Sequence, residues 1–354
     1  MINRTEEQIM SSWKDCGNGV FLSIFCITYN LESYVEEALD SMLMQNTTFS
    51  FEIVIGDDCS KDKTVETINK YVQKYPNIIK LIAREANVGY TKNFSGTFGA
   101  CTGKYIAFCE GDDYWTDSNK LQKQIGFLEA NPDFMGCVHD TKYLKDGIVT
   151  DELVVNNTKD VFCFEDYANH AYAHTSSYVF RYDCPHKDKI QAYFSKWAGD
   201  LFSLLVFSKF GPIKRIPEVM SVYRTHSGGI HSLTGEEKQT NSYLKNILIL
   251  GDIFSEERDL FIKMFINVLS QKIDKLPKDF FNTLFKDVAL YVSSETYLDI
   301  IKILILDKSM QTQAINECNN YIKLLEKQVK DNSFKALIKK LIKALAKPYS
   351  KELK

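Results

Sequence analysis

Along its first 110 residues the chain alternates between nearly continuous apolar runs and runs that are apolar only at helical spacing. VFLSIFCIT (20–28) has strand length, and 33–44 follows with Val35, Leu39 and Met42 on one helical stripe. FEIVIGDD (51–58) and DKTVETINKYVQKY (62–75) repeat that pair. IIKLIA (78–83) and the helix-compatible stretch 91–101 repeat it again, and KYIAFCE (104–110) supplies a fourth strand. Strands covered by helices on both faces have no solvent side, so they lose the apolar–polar alternation. The pattern therefore predicts an α/β fold with a parallel, doubly wound sheet. In such sheets ligands collect beyond the carboxyl ends of the strands.

After Asn131-Pro132 the alternation loosens. FMGCVHDTKYL (134–144) and AHTSSYVFR (173–181) read as antiparallel strands, which makes the whole sheet mixed. DLFSLLVFSKF (200–210) reads as a helix stopped by Gly211-Pro212. GPIKRIPEVMSVYRTHSGGIHS (211–232) reads as two short strands and a glycine-containing loop. From about 235 the period is helical, with Gly and Pro scarce, so the expected boundary separates an α/β domain (1–232) from a helical C-terminal region (233–354). No internal repeat or low-complexity segment interrupts either part.

The polar residues gather where a doubly wound sheet would bind a ligand. Thr28, Tyr29 and Asn30 follow the first strand, and Asp57 and Asp58 close the second. Arg84, Asn87 and Gly89 follow the third, and Asp112 and Asp113 the fourth. The last pair lies in YIAFCEGDDYWTD (105–117), which sets Glu110, Asp112 and Asp113 in one turn. Adjacent acids repel and lose hydration when covered, so a metal ion, a lysine or water must compensate them. Helix capping is the competing use of such acids, with Asp117 or Ser118 expected to start the helix after this turn and Ser60 or Asp62 the helix at 62–75.

Composition narrows the class. The 354 residues are 45% hydrophobic and 25% charged with a net charge of −3, as in an ordinary soluble protein and unlike a nucleic-acid binder. The nine cysteines form no CxxC pair, and several sit in apolar runs, which fits reduced thiols in a cytoplasmic protein. Cys59, Cys109 and Cys184 read as packing residues. The polar N-terminus carries no apolar signal region, and the densest apolar stretch, 298–306, is interrupted by Asp299 and Lys302.

Five segments together carry a resemblance: SIFCITYNLESYVEEALDSMLMQ, FEIVIGDDCSKDKTVETI, NVGYTKNF, GKYIAFCEGDDYWTDSNKLQKQIGFLEANPDF and GDLFSLLVFSKFGPIKRIPEVMSVYRTH. In order over about 20–228, roughly two thirds of the chain, they resemble the successive motifs of family 2 glycosyltransferases. The resemblance implies a GT-A fold, a nucleotide-sugar donor with UDP or dTDP, a Mn²⁺ or Mg²⁺ cofactor, and inversion at the anomeric carbon. It implies hexosyl or N-acetylhexosaminyl transfer to a glycan or lipid-linked acceptor, as in polysaccharide biosynthesis.

Each residue set has a chemical reason beside the resemblance. Carboxylates cannot neutralise a departing diphosphate, but they can hold a hard divalent cation that does. Asp112 and Asp113 resemble the family's acid motif, with Asp113 on the metal and Asp112 on ribose or metal; Glu110 stands where the first acid often does. Asp57 or Asp58 resembles the base-binding acid, since a carboxylate accepts the imide N–H of uracil or thymine. Tyr29 would lie near that base, while Asn87, Gly89 and Asn93 shape the loop around ribose and diphosphate.

Asp200, after Gly199 at the start of an apolar helix, is the expected general base, with N-capping as its alternative use. Trp197, Trp115 and His174 are expected on the acceptor side. Arg224 offers charge to the diphosphate and His226 is a metal or phosphate ligand, with His231 a weaker candidate in the same loop.

Beyond the resemblance, Ile315, Ile322 and Val329 fall seven apart in a short heptad-like seam. The tail SFKALIKKLIKALAKPYSKELK (333–354) sets seven lysines against one glutamate and aligns Phe334, Leu337, Ile338, Leu341 and Leu345. That stripe suits either peripheral contact with the inner face of an anionic membrane or packing on the protein itself. A homodimer completes the expected partners. Two rivals have distinct signatures: a nucleotidyltransferase would need a basic Gly-rich loop that CITYNLES lacks, and an inactive nucleotide-sugar or glycan-binding scaffold would not hydrolyse donor.

Overall fold

The computed structural model describes residues 2–14, 19–156, 159–169, 171–226 and 236–272. The chain divides into two units, Met1–Ser232 and Leu233–Lys354. The first unit begins α1 (Glu6–Met10), β1 (Leu22–Thr28), α2 (Val35–Leu43), β2 (Phe51–Asp57), α3 (Thr64–Lys74), β3 (Ile79–Ala83), α4 (Tyr90–Gly99) and β4 (Tyr105–Phe108). It continues β5 (Tyr114–Trp115), α5 (Lys120–Ala130), β6 (Gly136–Lys145), β7 (Ile148–Leu153), β8 (Val161–Phe162) and α6 (Phe164–Ala168). A 3₁₀ turn (Thr175–Ser177), β9 (Val179–Arg181), α7 (Lys187–Phe194), α8 (Asp200–Ser208) and β10 (Ile213–Arg224) complete it. The second unit contains α9 (Glu236–Ile253) and α10 (Arg258–Lys272), with Phe254 stacked on Phe261 between them.

The strands form one sheet in the order β3-β2-β1-β4-β9-β6-β10-β5, with β7 on β6 and β8 on β10. β1 to β4 are parallel, and every residue of β1 and β2 is buried, as their continuous apolar runs require. β9 inserts antiparallel to both β4 and β6, while β10 runs parallel to β6. The antiparallel relation expected for 134–144 and 173–181 is therefore present, and the sheet is mixed.

One expectation is corrected. Residues 211–224 hold a single long strand, not two short ones. The register on β6 slips between Ile216 and Val219 and again before Ser221, a bulge that accommodates Pro217, which has no N–H to donate. Pairing with β6 resumes on the far side.

Both faces of the sheet are packed. One carries Ile24, Cys26, Ile53 and Ile55 against Leu39 and Met42 of α2 and Ile68 and Tyr71 of α3. The other is aromatic: Phe25 lies 4.5 Å from Phe94 of α4 and 4.9 Å from Phe108, and Phe180 stacks at 4.0 Å on Phe207 of α8. Phe98 of α4 meets Phe194 of α7 at 4.3 Å. Such ring pairs add about 0.5–1.5 kcal/mol each beyond the area they bury. This layer fixes α8, and with it Asp200, relative to the end of β4.

Candidate active site

The acidic turn forms where β4 leaves the sheet. Cys109 N–H still donates to Phe25 O (3.0 Å), and Gly111 N–H to Ile27 O (3.1 Å), so the turn stays pinned to β1. A Cβ on Gly111 would stand 2.5 Å from the Thr28 methyl, so this close approach excludes any larger residue. Asp113 N–H closes the turn on Glu110 O (3.2 Å), and β5 then pairs with β10. Ligand oxygens of Glu110, Asp112 and Asp113 lie within 4.8 Å of one another.

The electrostatics of the turn are unbalanced. Burial first, then the charges of Asp200, Asp112 and Asp113, push the Glu110 carboxyl well above its ordinary range. Burial and then Asp112 do the same to Asp113, which is 1% exposed. Partial compensation comes from the end of β10. Arg224 N–H donates to Asp113 Oδ1 (3.1 Å) and Arg224 Nε to Asp112 O (3.0 Å). The Arg224 guanidinium also pairs with Glu37 and lies 4.9 Å from the Tyr34 ring centre. His226 Nε2 is 3.2 Å from Asp112 Oδ2, and His174 Nε2 is 3.7 Å from Asp113 Oδ2. Three carboxylates in one turn, two half-buried and one buried, with an imidazole beside them and excess negative charge, fit a hard divalent cation such as Mg²⁺ or Mn²⁺.

Asp200 faces the same charges. Gly199, at φ +150°, occupies the N-cap of α8, and Asp200 is the first helical residue. Tyr172 donates its hydroxyl to Asp200 Oδ2 at 3.1 Å. The Asp200 charge acts on Glu110, Asp113, Tyr90 and Tyr223, so the base candidate and the acidic turn share one environment.

The residues expected on the nucleotide side are held by internal hydrogen bonds or exposed at loop rims. Asp57 is fully buried and accepts from Thr28 Oγ1 (2.9 Å), Ser60 N–H (2.8 Å) and Ser60 Oγ (2.5 Å). Asn93 is buried, giving Nδ2 to Gly56 O (2.8 Å) and taking Arg84 Nε (3.3 Å). Thr28, Asp57 and Asn93 are thus buried, with hydrogen-bond partners inside the protein. Asp58 holds Val88 N–H (2.7 Å) and Gly89 N–H (2.9 Å), closing the loop before α4. Asn30, at φ +54°, takes Lys61 N–H on Oδ1 and gives its own N–H to Ser60 Oγ. Tyr29 and Asn87 are exposed at the rim of these loops.

Other expectations change as well. Trp115 is 1% exposed, donates Nε1–H to Ser176 O (2.8 Å) and covers Lys120, so it is core and no acceptor wall. Trp197 is half-buried just before Gly199. Neither Asp117 nor Ser118 caps α5, whose N-cap is Asn119; Asp117 accepts the Asn119 N–H (2.7 Å). Asp62 serves the first turn of α3 through Thr64 N–H (3.0 Å). The seven described cysteines are free thiols, and Cys59 is no packing residue: it is half-exposed with Lys61 Nζ 3.0 Å from its sulfur. His231, the seam at 315–329 and the tail at 333–354 lie outside the described residues.

Residues 23–187 match the family described as Glycosyl transferase family 2. That match covers just under half of the chain. An uncharacterized protein of Mycobacterium tuberculosis is 36% identical over 210 residues, 59% of this chain and 60% of the relative. An uncharacterized glycosyltransferase of Nostoc is 29% identical over 256 residues, 64% of this chain and 76% of the relative. The chain thus spans about 60% of the length of the mycobacterial relatives it matches. The crystal structure of S. aureus TarS 1–349 with UDP-GlcNAc superposes with a TM-score of 0.55 at 17% identity, over 80% of each chain, which gives the GT-A fold. No described helix is long and apolar enough to cross a membrane.

Within this site, the residue-by-residue reading missed Glu37, Tyr34, Tyr90 and Tyr172. Glu37 has the spacing of a helix surface position, and the tyrosines carry no periodic signal. Only the fold brings them to the acids.

Proposed function

We propose that the protein is an inverting glycosyltransferase that moves a sugar from a UDP or dTDP sugar to a hydroxyl of a glycan or lipid-linked acceptor. One observation carries the reading: the acidic turn at the carboxyl end of β4 and the carboxylate that opens α8 act on each other's charge in one site. Asp200 takes the proton of the acceptor hydroxyl as its oxygen bonds to the anomeric carbon. The bond from that carbon to the diphosphate breaks on the opposite face, so the configuration inverts and the nucleoside diphosphate leaves. Glu110, Asp112 and Asp113, with His226 beside them, would hold Mn²⁺ or Mg²⁺, which when bound supplies positive charge to the diphosphate.

Arg224 adds a fixed cation on the same side and can donate to a phosphate oxygen. Asp58, with the Val88–Gly89 loop it closes, and exposed Tyr29 and Asn87 frame the nucleoside end. Trp197 and His174 border the acceptor. Hexosyl or N-acetylhexosaminyl transfer in polysaccharide biosynthesis, at the inner face of the membrane through residues 333–354, is the setting we favour. The test is a thermal-shift panel of UDP and dTDP sugars with and without Mn²⁺, on the wild type and Asp113→Ala. A Mn²⁺-dependent shift confined to the wild type is expected, since a ligand stabilises by RT ln(1 + [L]/Kd). Equal shifts in both proteins would remove the acidic turn from the reading.

A further inference from the structure

The geometry points to Tyr172 as a positioning residue for this transfer: its hydroxyl sets the orientation of the Asp200 carboxylate. This rests on the assignment of Asp200 as base.

A carboxylate on the first residue of a helix turns about two side-chain bonds, and only some orientations aim a lone pair at the incoming hydroxyl. Glycine holds the N-cap position just before it. A restraint comes from outside the helix, through the 3.1 Å bond from Tyr172. Burial and then the Asp200 charge raise the Tyr172 phenol well above its ordinary pKa, so it stays a donor throughout the working range.

The segment carrying Tyr172 is itself built in. Ala171 N–H donates to Asp166 O (2.9 Å), and Tyr178 donates its hydroxyl to Ala173 O (2.6 Å) and to Asp200 O (3.5 Å). Two residues on, His174 lies 3.7 Å from Asp113. One short segment thus touches both the base and the acidic turn. Tyr172 also lines a small pocket with Ala173, His174, His139, Asp140 and Arg215.

Tyr172→Phe keeps the ring and removes the hydroxyl. The assay is release of UDP from UDP-glucose and UDP-N-acetylglucosamine in saturating Mn²⁺ with water as acceptor, resolved into kcat and donor KM, with the melting temperature measured alongside. A hydrogen bond to a charged group that acts in the transition state predicts a kcat about ten- to a hundredfold lower, with donor KM within about twofold. On an Asp200→Asn background the same substitution should cost less than about twofold, because no base remains to be oriented. Wild-type kcat in Tyr172→Phe, or an undiminished loss on the Asp200→Asn background, would overturn the inference. An inactive Asp200→Asn beside a fully active Tyr172→Phe overturns the role of Tyr172 alone. A fully active Asp200→Asn overturns the base assignment and this inference with it.

Discussion

Lys120 is fully buried on α5 with its ammonium 4.2 Å from the centre of the Trp115 ring and, among the described residues, no hydrogen-bond partner for Nζ. Burial lowers its pKa from 10.5 to about 7. The difference of about 3.5 units, at 1.36 kcal/mol per unit, makes the charged form about 5 kcal/mol less favourable than in water. The cation–π contact returns up to about 2 kcal/mol, so Lys120→Met, which keeps most of the stem volume, should stabilise the fold by ~3 kcal/mol at pH 6. Because the folded pKa is the lower one, the unfolded chain binds more protons between about pH 7 and 10.5, and wild-type stability rises through that window. By pH 9 the wild type recovers about 2–3 kcal/mol, and the advantage of the variant shrinks by that amount. Urea titration followed by tryptophan fluorescence at pH 6 and 9 measures this, since Trp13, Trp115 and Trp197 all lie before residue 233. A difference between variant and wild type that is the same at both pH values would refute the argument, as would a less stable variant at pH 6.

Asp200→Asn should keep Mn²⁺-dependent nucleotide binding and lower turnover by about two or more orders of magnitude, the range of a general base; near-normal turnover would move the base elsewhere. The raised carboxyls of Glu110 and Asp113 must lose their protons to bind a cation, so Mn²⁺ affinity measured by calorimetry should strengthen with rising pH and release protons. The same raised values mean that these groups favour the metal-free fold below the ordinary carboxylate range. That contribution is lost as pH rises through the folded values, and Mn²⁺ should restore stability at neutral pH. Deleting 333–354 should abolish salt-sensitive binding to anionic vesicles, to which each lysine adds on the order of 1 kcal/mol, without lowering the melting temperature. A drop in melting temperature together with no vesicle binding by the intact chain would make the tail a packed helix.

The parallel half of the sheet is legible in the sequence because its signals are local. Continuous apolar runs mark β1, β2 and β4, helical stripes mark α2 and α3, and the carboxyl ends of successive strands locate the site before any contact is known. The acidic turn and Asp200 follow from the same rules, being defined by their place at an element's end. What the tertiary structure alone decides is pairing between distant segments. The three-residue β9 enters between β4 and β6, and a bulged β10 replaces two short strands, because cross-strand partners supply the hydrogen bonds that single segments lack. Tyr172 meets Asp200 across 28 positions, His226 meets Asp112 across 114, and Arg224 meets Glu37 across 187. Asp57 and Asp58 are neighbours with the same side chain, yet one is sealed inside the turn at Ser60 and the other braces the loop before α4. Trp115 looks like a binding-site aromatic in sequence and is core in the fold, because the carbonyl of Ser176 and the stem of Lys120 close over it. Burial is a property of what surrounds a residue, and those surroundings come from parts of the chain that local pattern cannot connect.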